Sequence, residues 1–126
     1  INITASNNRV TLILALSYSS KWEITYAVQE IARLVEKQQI TANDVTTELI
    51  EKHLSTNRWP DPELMIRTSG EHRVSNFLLW QLAYSEFYFT EVLWPDFRKD
   101  DFFKAILSYQ NRERRFGKTS EQLADN

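Results

Sequence analysis

The chain has no cysteine, two glycines, three prolines and one methionine in 126 residues. Without cysteine there is neither a disulfide framework nor any thiol chemistry to consider. The longest apolar stretches, such as Leu12 to Leu16, fall far short of the roughly 20 residues that cross a bilayer. No charged-then-apolar leader precedes them, so the expectation is a soluble, cytoplasmic protein. Neither sign of charge dominates: 15 basic and 17 acidic residues give a net charge of −2. A general nucleic-acid binder needs a basic excess spread over one face, so no nucleic-acid partner is expected. Because glycine is scarce, its positions are informative, and both Gly70 and Gly117 stand beside arginines.

What is present suits a globular α/β chain. Hydrophobic residues make up 42%, enough to build the core of one domain, and no repeat or low-complexity segment interrupts residues 1–126. Val10 to Leu16 is a continuous apolar run of strand length, the pattern of a strand covered on both faces, as in a mostly parallel sheet flanked by helices. From about Trp22, the apolar residues Ile24, Ala27, Val28, Ile31, Ala32 and Val35 recur at helical spacing. Thr41 and Asp44 resemble a capping box that opens a second helix through Val45, Leu49, Ile50 and Leu54. Asn57 to Pro62 is a break. A strand Leu64 to Arg67, a short helix Phe77 to Ala83, a strand Phe87 to Phe89 and a helix from about Lys99 to Phe116 complete the order. Asp100 and Asp101 suit the positive start of that last helix, and Arg112, Arg114 and Arg115 its negative end.

The segment Met65 to Asn76 carries the functional signal. Arg67 closes the apolar run Leu64-Met65-Ile66, so it sits at the C-terminal end of a strand, where open α/β sheets place their ligands. Arg73 follows six residues on, past Gly70. A guanidinium fork matches phosphate oxygens, and Ser75, just before FLLWQLA, is placed to cap a helix whose first amides also favour anions. The plainer alternative is a polar surface loop whose arginines pair with Glu71 and Glu63.

Arg67-Thr68-Ser69-Gly70-Glu71-His72-Arg73-Val74-Ser75-Asn76-Phe77-Leu78-Leu79-Trp80-Gln81, then Ala83 to Phe89, Leu93-Trp94-Pro95-Asp96-Phe97 and Asn111 to Gly117 resemble the C-terminal half of the cis-prenyltransferases that make undecaprenyl diphosphate. The resemblance covers nearly the whole chain from Val10 onward. It implies sequential condensation of isopentenyl diphosphate onto an allylic, farnesyl-type diphosphate by a Mg²⁺-dependent homodimer. The product would be a long-chain polyprenyl diphosphate, a membrane-associated lipid that is the carrier precursor for cell-wall synthesis, and the enzyme would be cytoplasmic or peripheral to the membrane.

Members of this family begin with an Asp-Gly-Asn-Gly-Arg-Trp segment whose aspartate holds the metal, and no Asp-Gly pair occurs here. The expectation is therefore the second half of a longer protein, inactive when made alone, with the metal aspartate elsewhere. Residue by residue, the resemblance makes Arg67, Arg73 and Ser75 the isopentenyl diphosphate clamp, with His72 in the same polar cluster. It makes Arg115 and Gly117 an Arg-x-Gly element reaching the partner subunit's active site; from the residues alone, Gly117 is most simply a helix C-cap. It sets Glu86 near the Mg²⁺, as an oxygen ligand through water or directly; from the residues alone, Glu86 only alternates outward on an edge strand. Phe87, Phe89, Trp94 and Phe97 read as core or as a subunit interface, the latter for Trp94 at least.

There is one departure from the pattern. Many members carry Asn-Tyr-Gly-Gly-Arg after the first strand, and this chain has Ser17-Tyr18-Ser19-Ser20-Lys21, which puts a close backbone approach to ligand there in doubt. The rival reading is a non-catalytic, diphosphate-binding subunit of a heteromeric prenyltransferase. Such subunits commonly lose the clamping arginines, which this chain keeps.

Overall fold

The structure is a computed structural model that describes residues 3–4 and 6–112. The order of elements is α1 (Ser20–Glu36), a 3₁₀ turn (Ala42–Asp44), α2 (Thr47–Lys52), β1 (Leu64–Arg67), β2 (Glu86–Phe89), a second 3₁₀ turn (Trp94–Asp96) and α3 (Lys99–Gln110). Strands β1 and β2 form a two-stranded parallel sheet in the register Leu64 with Glu86 through Arg67 with Phe89. Parallel strands need a crossover of a dozen or more residues, and residues 68–85 supply it. Helix α3 lies against β2, and α1 against α2, which is the α/β arrangement expected.

α1 begins where Ser19, in extended conformation, accepts a hydrogen bond from the Trp22 amide, the role small hydroxyl residues fill at helix N-termini. Its inner stripe buries Ala27 and Ile31, which with Leu54, Leu82 and Ala105 form the apolar core. The Thr41–Asp44 pairing is present, the Thr41 amide donating to Asp44 Oδ2 at 2.7 Å, but it closes only a 3₁₀ turn. Thr46, whose hydroxyl accepts from the Leu49 amide, starts α2 instead. Of the expected Lys99–Phe116 helix, α3 reaches Gln110, and residues 113–116 lie outside the described residues.

Two expectations fail. Val10 to Leu16 is not a buried strand: it pairs with neither β1 nor β2, and Val10, Leu12, Leu14 and Leu16 are 72–84% exposed. A central strand exists only with neighbours on its edges, and the described sheet offers this run none. Phe77 to Ala83 is not a helix but a succession of turns. Asn76 and Leu78 take positive φ values of 61° and 46°, which right-handed helix excludes. The Leu79 amide donates to the Ser20 hydroxyl at 2.9 Å instead of to a helical carbonyl.

Candidate functional site

Arg67 ends β1, and its carbonyl accepts from the Thr90 amide at 2.9 Å. The pairing continues past both strands, Ser69 N–H donating to the Val92 carbonyl and Gly70 N–H to the Thr90 carbonyl. Ser69 and Gly70 both have positive φ, 69° and 66°, so the chain turns sharply after β1. At Gly70 a side chain would be strained by φ alone, and an added Cβ would run into the end of the Glu91 side chain. The sharp turn brings residues 71–75 back over the end of the sheet.

The result joins two of the expected site residues directly. Arg67 Nη2 donates to Ser75 Oγ at 3.4 Å, while Arg67 Nε is buried without a hydrogen-bond partner. No carboxylate among the described residues pairs with Arg67. A half-buried guanidinium without an anion is costly unless something supplies one. Ser75 does not cap a helix: at φ 49° it lacks the extended backbone of an N-cap, and its oxygen serves the arginine.

Arg73 and His72 stand apart from that contact. Arg73 pairs with Glu71 at 2.7 Å with its side chain 72% exposed, so the plainer reading of a loop ion pair holds for it, though not for Arg67. Such a pair is worth little in water. The His72 ring lies tilted on Phe89 with centroids 4.9 Å apart.

Glu86 occupies the other end of the sheet. The register sets it opposite Leu64, three positions and about 10 Å along the strands from the Arg67 pair. Its carboxylate accepts from Arg112 Nη1 at 2.7 Å. Among the described residues, no three His, Asp or Glu side chains gather closely enough to hold a metal ion. Arg115 and Gly117 lie outside the described residues.

Several participants escaped the sequence reading. Arg98, not singled out there, and Lys99, read only as the start of a helix, join Arg67, Trp94 and Phe97 around an open groove of about 770 Å³. Their adjacency to the aromatic Trp94-Pro95-Asp96-Phe97 run was the available signal. Beneath the loop, Glu23 is 4% exposed and accepts hydrogen bonds from Ser55, Tyr18 and Gln81. Burial pushes its carboxyl up, but those donors more than offset that and hold it below the usual range. Tyr18 is pushed up to about 12, by burial and then by its bond to Glu23. Nothing in the spacing of a lone helical glutamate announces a partner 58 residues away.

The fold is a parallel α/β arrangement with Arg67 at the C-terminal end of β1 and, among the described residues, no carboxylate paired with it. The comparisons name it: residues 1–117 match the family described as putative undecaprenyl diphosphate synthase, and the chain belongs to that prenyltransferase family. It is 54% identical over 124 residues to an isoprenyl transferase of Porphyromonas gingivalis, covering 98% of this chain and 49% of the relative. It is 50% identical over 121 residues to a ditrans,polycis-undecaprenyl-diphosphate synthase, (2E,6E)-farnesyl-diphosphate specific, of Vibrio vulnificus, covering 96% and 48%. The fold matches a crystal structure of lavandulyl diphosphate synthase from Lavandula x intermedia in complex with dimethylallyl diphosphate, with a TM-score of 0.86 and 40% identity over 93% of this chain and 50% of that one. The chain thus spans about half the length of the relatives it matches.

Proposed function

We propose that the full-length protein is a cis-prenyltransferase that condenses isopentenyl diphosphate with an allylic diphosphate of farnesyl type into a long-chain polyprenyl diphosphate such as undecaprenyl diphosphate. The observation that carries this reading is Arg67: a half-buried guanidinium at the end of the sheet, hydrogen-bonded to Ser75 and, among the described residues, without a carboxylate. Arg67 and Ser75 would take oxygens of isopentenyl diphosphate. Arg73 would leave Glu71 to close over the other phosphate, with His72 beside it. The substrate's double bond would then be held facing the allylic carbon as its C–O bond breaks, and orientation of this kind lowers a barrier without covalent help. Mg²⁺ on the allylic diphosphate would stabilise the leaving group. In this chain Glu86 could contribute one carboxylate to it, through water, on release from Arg112.

The same reading makes the protein a homodimer, with Trp94, 70% exposed and stacked on Phe97, in the interface and Arg115 and Gly117 reaching the partner's diphosphate. No helix among the described residues is long and apolar enough to cross a membrane, and the reading sets the enzyme in the cytoplasm, peripheral to the membrane that takes up its product.

Mixing two impaired full-length variants, assayed with isopentenyl diphosphate below its KM, tests the reading, since Arg73→Ala and Gly117→Ala fall in the same active site of a heterodimer and leave its other site intact. Recovery of isopentenyl transfer supports a clamp completed across subunits. No recovery despite demonstrated subunit exchange overturns that part, and full activity in both single variants overturns the clamp.

A further inference from the structure

We propose that Ser19 and Ser20, at the N-terminus of α1, are positioning residues for the diphosphate clamp, stapling the turn 75–79 so that Ser75 meets Arg67; the proposal rests on the function given above. The turn needs a staple. Ser75, Asn76 and Leu78 hold φ values of 49°, 61° and 46°, and three non-glycine residues in the left-handed region persist only where surrounding contacts over-determine them. The contacts that do so come from residues 19–21. Ser20 N–H donates to the Asn76 carbonyl at 3.0 Å, and Lys21 N–H to Asn76 Oδ1 at 2.9 Å. Asn76 Nδ2 donates to Ser19 Oγ at 2.8 Å, and Leu79 N–H to Ser20 Oγ at 2.9 Å.

The hydroxyls account for half of this set, and both belong to the serines at which the chain departs from the family's Gly-Gly. Glycine has no oxygen to accept from Asn76 or from Leu79. Ser20 is fully buried, 0% exposed, so without its hydroxyl the Leu79 amide loses its partner and the turn loses its register. One helical turn on, Glu23 holds Gln81 at 3.1 Å and anchors the far side of the same segment. The leading amides of α1 are spent on Asn76, so this helix end orders the clamp without binding the anion itself. A continuous path runs from α1 through Asn76 to Ser75 and Arg67 Nη2.

A clamp that is ordered only part of the time binds more weakly in proportion to the ordered fraction, while a saturating substrate still fills it. In the full-length protein, Ser20→Ala should therefore raise the KM for isopentenyl diphosphate by about tenfold with kcat within about twofold, and weaken binding of inorganic pyrophosphate in parallel. Ser19→Ala should act in the same direction. Ser19→Thr should restore the wild-type KM, because its extended backbone, φ −142° and ψ 116°, accepts a β-branched residue that keeps the hydroxyl. An unchanged KM and pyrophosphate affinity in both alanine variants, with Arg67→Ala impaired, overturns the staple and leaves the enzyme reading standing. If the wild type transfers no prenyl group, yet Ser20→Ala and Arg67→Ala both bind pyrophosphate less tightly, the staple stands and the enzyme reading falls.

Discussion

The two ends of one small parallel sheet treat an arginine in opposite ways. At the Glu86 end, Arg112 and the carboxylate are each about 30% exposed and neutralise one another at 2.7 Å. At the Arg67 end the guanidinium has, among the described residues, a serine oxygen at 3.4 Å and no carboxylate, and the backbone around it is held at positive φ at Ser69 and Gly70 and again at Ser75, Asn76 and Leu78. One end is satisfied by its own chain. The other carries left-handed backbone and, among the described residues, a guanidinium without a carboxylate, which is what the proposed diphosphate site would use.

The largest effect that tests this contrast is on catalysis. In the full-length protein, Arg67→Ala should lower kcat/KM for isopentenyl diphosphate by about 100-fold, the scale of one charge-assisted phosphate contact, with little loss of thermal stability. Steady-state kinetics within about twofold of wild type would erase the contrast. Arg112→Ala should do the reverse, destabilising the fold by about 2 kcal/mol through an unpaired, partly buried Glu86, visible as a lower Tm, with the isopentenyl diphosphate KM unchanged. Glu86→Gln sharpens the point. If Glu86 serves the metal, that variant needs more Mg²⁺ for half-maximal activity; an unaltered Mg²⁺ titration assigns Glu86 to the ion pair alone.

Arg73→Ala comes next. It should raise the isopentenyl diphosphate KM by about tenfold, leave the allylic KM close to wild type and cost less than about 0.5 kcal/mol of stability. A stability loss larger than the kinetic one would make the Glu71 pair structural. The smallest effect concerns acid. Glu23 has its folded pKa held below the ordinary value near 4.5, so its contribution to stability is complete above that value and is lost as pH falls through the folded pKa. Glu23→Gln should flatten the acid limb of the stability profile below about pH 4.5; an acid limb as steep as that of wild type would mean that another carboxylate governs it.

Legibility differed between elements for physical reasons. α1 and the strands β1 and β2 were readable because side-chain period and strand length are local properties. Phe77 to Ala83 was misread because its composition suits a helix, while its amide and glutamine hydrogen bonds go to Ser20 and Glu23, more than 50 residues away. Ser75 was read as the cap of a helix, and its geometry is different. The oxygen does meet a donor, but the donor is Arg67 and not a helical amide.

By itself, the sequence determined which chemistry is available: arginines after a short strand, a glycine where the chain must turn, no thiol, no excess charge, and motifs long enough to mark the family. Only the tertiary structure decided that, among the described residues, Arg67 stands at the end of the sheet without a carboxylate. That depends on where each carboxylate is carried by the backbone: Glu71 to Arg73 and Glu86 to Arg112, neither of them to Arg67. An ion pair is a matter of a few ångströms in space, and spacing along the chain does not encode distances across a sheet or between a helix end and a turn.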